Sequence, residues 1–261
     1  MAEIHSEKLT VVKVGGGVLE DVVSLAGFLN RFVALPGLKI LVHGGGRVAT
    51  KLSEQLNIES KMVEGRRITD ASTIDIVTMV YGGLINKKTV AALQARGCNA
   101  GGFTGADMNL IEAVKRPVKD IDYGFVGDVT KVNHEVLSIL LKRGITPVMA
   151  PLTHDGKGQL LNTNADTIAS EIAGAMSGLY EVSLVFCFEK PGVLTDTDND
   201  NSVIPELNPV SYQSFKEKGI IHSGMIPKID NSFDALQKGV KQVIITSAST
   251  LDLNSGTRIS L

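Results

Sequence analysis

Short, predominantly apolar runs alternate with amphipathic stretches from one end of the chain to the other. Leu9–Val14 and Lys39–His43 read as buried strands, and each runs into glycine and then into a helical pattern, Val18–Val33 and Arg47–Leu56. That βαβ order predicts an α/β fold in which a mostly parallel sheet is covered by helices on both faces. Thr69 and Asp70 are N-cap candidates that open a long helical stretch to about Ala95, interrupted by Gly82-Gly83. Glycine inside a helix costs about 1 kcal/mol relative to alanine, so the pair implies a close approach by another element. Leu110–Val114 and Val126–Val132 flank polar turns at Lys119-Asp120 and Asp122-Tyr123-Gly124, which predicts a β-hairpin outside the main sheet. Alternation then resumes with a helix at Glu135–Lys142, a strand at Ile145–Ala150, a helix at Asn164–Met176 and a strand at Val182–Phe188. Helices at Ser211–Glu217 and Met225–Leu236, a strand at Gln242–Thr246 and a final segment around Thr257–Leu261 complete the pattern. The polar run Thr195–Ser202 is too short for an interdomain linker, and no internal repeat is visible, so residues 1–261 are expected to form a single domain.

With 43% hydrophobic residues the chain can fill a core of its own, and 26 basic residues balance 28 acidic ones without a long block of either sign. Neither nucleic acid nor a membrane surface is therefore the expected partner; a small molecule is. Cys98 and Cys187 have no metal or redox spacing and are expected to be buried free thiols. Met1–Lys8 is polar and does not read as a signal peptide. No apolar run approaches the roughly 18 to 20 residues that span a bilayer, so the expected location is the cytoplasm.

Four clusters sit where strands end or helices begin. Lys13-Val14-Gly15-Gly16-Gly17 puts a lysine in a buried strand, where an unpartnered ammonium is costly; the alternative is a strand-end lysine reaching solvent. His43-Gly44-Gly45-Gly46 joins a strand to a helix, where exposed N–H groups make an anion site. Gly44-x-Gly46-x-x-Ala49 also fits a dinucleotide-binding fingerprint with Glu64 as the ribose acid, but Glu64 ends no apolar strand and that reading leaves Lys13 without a role. In Asn162-Thr163-Asn164-Ala165-Asp166, Asn164 is placed as an N-cap and Asp166 in a first helical turn, while Asn162 has no capping duty and is open to a ligand. In Ser223-Gly224-Met225-Ile226-Pro227-Lys228, Pro227 marks a first turn, so Lys228 opposes the helix dipole and calls for an anion.

Two lysines, a glycine-rich cradle and one acid near helix starts suit phosphoryl transfer, which is catalysed largely by positioning and charge neutralisation. The P-loop and protein-kinase signatures are missing. The clusters resemble the amino-acid kinase family, in its branch that phosphorylates N-acylated glutamate. The resemblance runs in order over nearly the whole chain: Val12–Gly16, Val42–Gly46, Gly65–Asp70, Leu84–Lys87, Asn162–Asp166, Gly192–Leu194, Gly224–Lys228 and Gly256–Ile259.

That resemblance implies an open αβα sandwich, with residues from about 1 to 177 holding the acylated amino acid and residues from about 178 to 261 holding ATP. Lys13 and Lys228 would flank the transferring phosphoryl group with Asp166 orienting both. Gly44 and Gly45 would offer backbone N–H groups, Arg67 and Asn162 would hold the α-carboxylate and acyl amide, and Gly15, Gly16, Glu189, Gly192 and Leu194 would border the nucleotide. The acceptor would be the γ-carboxylate of N-acetyl-L-glutamate or a close analogue such as N-succinylglutamate. Mg²⁺ would arrive on the nucleotide, without dedicated protein ligands, and the helix around Gly82-Gly83 would pack against a second copy in a homodimer. Four departures from the family pattern stand out: Arg47 in place of proline, Ser223 in place of the glycine before Gly224-Met225, Phe188-Glu189-Lys190 at the nucleotide border, and Arg66 beside Arg67 where leucine is usual. Arg66 either faces solvent, since neighbours in an extended segment point oppositely, or turns to the acyl end of the substrate. Another kinase of the same fold and a non-catalytic ligand sensor are the rival readings.

Overall fold

The computed structural model describes residues 7–63, 66–221 and 224–261. The polar start Met1–Ser6, the Glu64 of the dinucleotide reading, Gly65, His222 and Ser223 lie outside them. β1 (Lys8–Val14) leads into α1 (Gly16–Glu20) and α2 (Val22–Ala34), then β2 (Leu38–His43) into α3 (Gly46–Gln55). A two-residue ladder, β3 (Met62–Val63) with β4 (Arg66–Arg67), precedes α4 (Ala71–Val77) and α5 (Asn86–Gln94), which are joined without a break by a π-helical run, Thr78–Ile85. β5 (Ala100–Phe103), β6 (Ile111–Lys115), β7 (Gly127–Val132), α6 (His134–Lys142), β8 (Thr146–Met149), β9 (Leu152–His154) and β10 (Leu160–Asn162) follow. The last part holds α7 (Ala165–Met176), β11 (Glu181–Phe188), β12 (Glu206–Leu207), α8 (Pro209–Glu217), α9 (Ile226–Gln237), β13 (Gln242–Ser247) and β14 (Thr257–Ile259).

The main sheet has eight strands in the order β12-β14-β13-β11-β1-β2-β8-β5, with β1 paired in parallel to β11 on one side and β2 on the other. Chain order therefore reverses direction at β1, and ligands of open α/β sheets bind beyond the carboxyl ends of strands at such a switch point. Lys13 pairs with Phe186 and with Val42, so the ends of all three strands meet there. Side-chain parity on β1 decides what each residue faces. Val12 and Val14 join Phe28, Leu29 and Phe32 of α2 in one buried cluster, while Leu9 and Val11 join Ile168 and Ile172 of α7 and Ile229 of α9 in another. Lys13 has the parity of Leu9 and Val11, and so points toward the helices whose first turns hold Asp166 and Lys228.

The structure departs from the sequence pattern in four places. The predicted helix Val18–Val33 is two helices, because Asp21 takes an extended conformation and its Oδ2 accepts from Ser24 N at 2.6 Å. The long helix after Asp70 is continuous, but its glycine pair lies in the π-helical run. β5 has the weak local signal of Ala-Gly-Gly-Phe, and it forms only because β8 is beside it. The predicted hairpin, β6 with β7, belongs to a second, four-stranded sheet ordered β10-β9-β6-β7, whose other hairpin consists of three-residue strands.

That second sheet is stitched to the segment before α4. Thr69 N–H donates to Tyr123 O at 2.9 Å, Phe125 N–H to Thr69 O at 2.6 Å, and Asn162 N–H to Phe125 O at 2.8 Å. Gly124, at φ +70°, allows the crossing, and a Cβ there would collide with the Thr69 carbonyl. Gly124→Ala is expected to destabilise the protein by about 1 to 3 kcal/mol, read as a lower urea midpoint at unchanged slope. A midpoint equal to that of the parent protein would contradict this account of the junction.

Candidate active site

The three strand ends open into a cleft of about 620 Å³. Lys13 comes from β1, Gly15 and Gly16 from the turn into α1, Gly46 from the start of α3, and Glu189, Gly192 and Leu194 from the segment after β11. Lys228, in the first turn of α9, lines the same cleft.

The floor is an ion triad. Lys13 Nζ lies 2.8 Å from Asp166 Oδ1, and Lys228 Nζ donates to Asp166 Oδ2 at 2.8 Å. Asp166 owes its place to α7, whose N-cap Asn164 accepts from the N–H groups of Asp166 and Thr167 at 2.7 and 3.3 Å. Lys13 and Asp166 are only 6% and 5% exposed, so neither is a surface ion whose partner is optional. Burial pushes the Lys13 ammonium below the ordinary lysine range, with Asp166 opposing and Lys228 adding to that push. Burial also favours a neutral Asp166, yet the two lysines outweigh it and hold the carboxyl at about 2. One carboxylate between two ammonium groups leaves a net positive charge at the base of the cleft, the condition for an anionic ligand. The sequence alternative of a lysine reaching solvent does not hold for Lys13.

The glycine turns require one correction. Gly44 does not present its N–H to a ligand, because that group extends the sheet by donating to Val14 O at 3.0 Å. Gly45 is the N-cap of α3 and Gly46 its first residue; the first bond into this turn of helix is Ala49 N–H to Gly45 O at 3.0 Å. The N–H groups of Gly45 and Gly46 have no acceptor among the described residues, and these are the open donors. Gly45 has no room for a Cβ: Ile85 Cδ1 and the Tyr81 ring would lie 2.6 and 2.7 Å from it.

Arg67 is buried and braces the same turn. Its Nη2 donates to Gly46 O at 2.9 Å and Thr50 Oγ1 at 2.7 Å, and its Nη1 to Ser60 Oγ at 2.7 Å. Arg66, its neighbour on β4, is exposed, as the solvent-facing alternative expects. Asn162, on β10, donates from Nδ2 to Thr69 Oγ1 at 3.0 Å and does not line the cleft, nor do Gly44, Gly45 and Arg67. Glu189 faces Arg47 Nη1 at 3.5 Å, so two of the positions that depart from the family pattern meet at the cleft. A Cβ on Gly192 would lie 2.8 Å from Thr257 Oγ1, which makes that glycine a packing requirement as well as a lining residue. Phe188 and Lys190, placed at the nucleotide border by the resemblance, line the cleft as well; sequence reasoning missed Thr197, Ile220, Ile221 and Met225, which also line it. Apolar residues at these spacings carry no signal that separates a ligand wall from a core. Among the described residues, no three His, Cys, Asp or Glu side chains converge to hold a metal ion, and no helix is long and apolar enough to cross a membrane.

A sequence model of the Amino acid kinase family matches residues 8–247. The chain belongs to that family. Two relatives named acetylglutamate kinase align over 253 residues: one from Bacteroides thetaiotaomicron at 61% identity and one from Phocaeicola vulgatus at 62%, each covering 97% of this chain and 98% of the relative. The crystal structure of smu.665 from Streptococcus mutans UA159 superposes with a TM-score of 0.80 at 26% identity, covering 97% of this chain and 98% of the other. The amino-acid-kinase fold, a large and mostly parallel sheet flanked by helices, is therefore established for this protein.

The triad makes stability depend on pH in a defined direction. Asp166 titrates at about 2 instead of 3.8, so the unfolded chain binds more protons between those values. Its contribution is complete above pH 4 and is lost as pH falls toward 2. Asp166→Asn, which leaves two lysines without their anion, is expected to cost about 3 to 5 kcal/mol at neutral pH. In urea unfolding at stepped pH, the gap between parent and variant should narrow from pH 4 downward. A gap that stays constant from pH 5 to 2 would contradict the triad assignment.

Proposed function

We propose that the chain transfers the γ-phosphoryl group of ATP to the side-chain carboxylate of N-acetyl-L-glutamate, the second step of arginine biosynthesis. The observation that carries the chemistry is one buried carboxylate held between two lysines at the base of a cleft. Identity of 61 to 62% over 97% of the chain to relatives named acetylglutamate kinase supports the acceptor.

A carboxylate is already ionised at pH 7, so no general base is needed and no proton moves. One γ-carboxylate oxygen bonds to the γ-phosphorus, the bond to the β–γ bridging oxygen breaks, and ADP leaves with that electron pair. The barrier is repulsion between an anionic nucleophile and a polyanion, and the chain's part is to lower it. In this reading Lys13 and Lys228 flank the moving group, Asp166 aims both, and Gly45 and Gly46 direct N–H groups at its oxygens. Arg67 and Asn162 hold the α-carboxylate and acyl amide. Gly15, Gly16, Glu189, Gly192 and Leu194 border the nucleotide, whose phosphates carry Mg²⁺ as a further neutralising charge. The first lobe, to about residue 177, takes the acylated amino acid, and the second takes ATP. The enzyme works in the cytoplasm as a homodimer.

An ATP-dependent hydroxamate assay with N-acetylglutamate and N-succinylglutamate tests the reaction; absence of product with both would sink the proposal. Lys13→Met and Lys228→Met should each lower kcat by at least about 100-fold with the fold retained, and near-normal turnover in either would remove that lysine from the mechanism. Arg66→Leu should leave the ratio of kcat/KM for the two substrates within about twofold of the parent value, because Arg66 faces away from Arg67; a larger change would restore it to the acyl site.

The dimer rests on the π-helical run. Gly82 meets Leu152 and Thr104 within the chain, but Gly83 has open space around it and lies beside exposed Met79 and Leu84. Light scattering should give the mass of two chains, and Leu84→Lys should shift the population toward one. A parent protein that is monomeric at micromolar concentration would rule the dimer out.

A further inference from the structure

His43 is the last residue of β2, fully buried, and has no part in the chemistry described above. Its Nδ1 lies 2.8 Å from Gly44 O, and its Nε2 lies 3.2 Å from Asn86 Nδ2. The Asn86 amide is oriented by two other partners, since Nδ2 donates to Val148 O at 2.9 Å and Oδ1 accepts from Lys87 Nζ at 3.2 Å. An amide nitrogen only donates, so Nε2 must accept and the imidazole proton must sit on Nδ1, where it donates to the Gly44 carbonyl. Burial pushes the ring's pKa down to about 4, which keeps it neutral in this single tautomer.

The consequence follows from peptide geometry. The unit joining Gly44 to Gly45 is planar and trans, so its C=O and N–H point in opposite directions. Holding the Gly44 carbonyl on the imidazole therefore aims the Gly45 N–H the other way. On that side lies the turn of β1: a Cβ on Gly16, a cleft-lining residue, would sit 3.9 Å from Gly45 N. Gly45 is buried and its N–H has no acceptor among the described residues, an arrangement that folded proteins rarely leave without a ligand. Tyr81 and Ile85 fill the space that a Gly45 side chain would need and Asn86 holds His43, so one continuous helical run fixes the turn from both sides.

We propose that His43 is a positioning residue for phosphoryl transfer: its Nδ1–H holds the Gly44 carbonyl, which aims the Gly45 N–H at the transferring phosphoryl group, and Asn86 sets the tautomer. This rests on the phosphoryl-transfer reading given above. The role predicts loss of transition-state stabilisation without loss of ground-state binding.

The test compares three variants with the parent enzyme by steady-state kinetics and thermal unfolding. His43→Leu removes the donor and is expected to lower kcat by about 10 to 100-fold, with both KM values within about threefold. His43→Asn places an amide N–H where Nδ1–H was and should recover kcat to within about fivefold of the parent. His43→Gln places its amide at the Nε2 position, beyond reach of the Gly44 carbonyl, and should remain as slow as His43→Leu. The Asn and Gln variants keep the comparison decisive even where His43→Leu does not fold. Equal kcat for the Asn and Gln variants, or kcat that merely follows Tm across the set, would overturn the positioning role. A parent enzyme without activity would instead overturn the reaction assignment.

Discussion

An ammonium group on the central strand of a buried sheet has no stable place without an anion, and Asp166 supplies one to two lysines at once. Desolvating such ions costs several kcal/mol each even after relaxation, and replacing a buried ion pair with apolar side chains is often neutral or stabilising. Stability alone therefore does not account for Lys13, Asp166 and Lys228. A site that must neutralise a polyanion does account for them, because two ammonium groups around one carboxylate leave the floor of the cleft positive and both cations aimed. The parity of β1, the N-terminus of α7 and the N-terminus of α9 all serve this one meeting point.

The second constraint is the glycine turn after β2. In the proposed reaction its N–H groups must point at the transferring phosphoryl group, and several side chains hold the turn: Arg67 on the Gly46 carbonyl, Tyr81 and Ile85 beside Gly45, and His43 on the Gly44 carbonyl. Tyr81, Ile85 and Asn86 belong to the helical run that winds as a π-helix between Thr78 and Ile85. The wider π turn, with one more residue per hydrogen-bonded ring than an α turn, sets which of its side chains face α3 and which face outward. The same run thus supports the glycine turn on one side and exposes Met79, Gly83 and Leu84 on the other.

Much of this could be read before the fold was known, and the legible residues share a trait: each breaks a local rule. Lys13 is a charge in an apolar strand, and Lys228 is a cation at a helix start fixed by Pro227. The alternation of apolar and amphipathic segments likewise yielded the parallel sheet, because its period is a direct image of the buried face. The remainder depended on tertiary partners. Asp21 ends one helix and begins another through a bond to Ser24 that hydrophobic periodicity does not encode. β5 and the three-residue strands β9 and β10 exist because neighbours pair with them. The N–H of Gly44 looked available in sequence, and the ladder to Val14 removes it. Ile220, Ile221 and Met225 line the cleft without any mark that distinguishes them from core residues.

The account turns on Asp166 acting through charge in the transition state, beyond any role in holding the cleft together. The most direct measurement is calorimetric titration of Asp166→Asn and the parent protein with ADP alone, and with ADP, N-acetylglutamate and aluminium fluoride, a mimic of the phosphoryl group in flight. The account predicts ADP affinity within about threefold of the parent value and a loss of about 100-fold or more for the fluoride complex. Equal losses for both, or no loss for the fluoride complex, would contradict it.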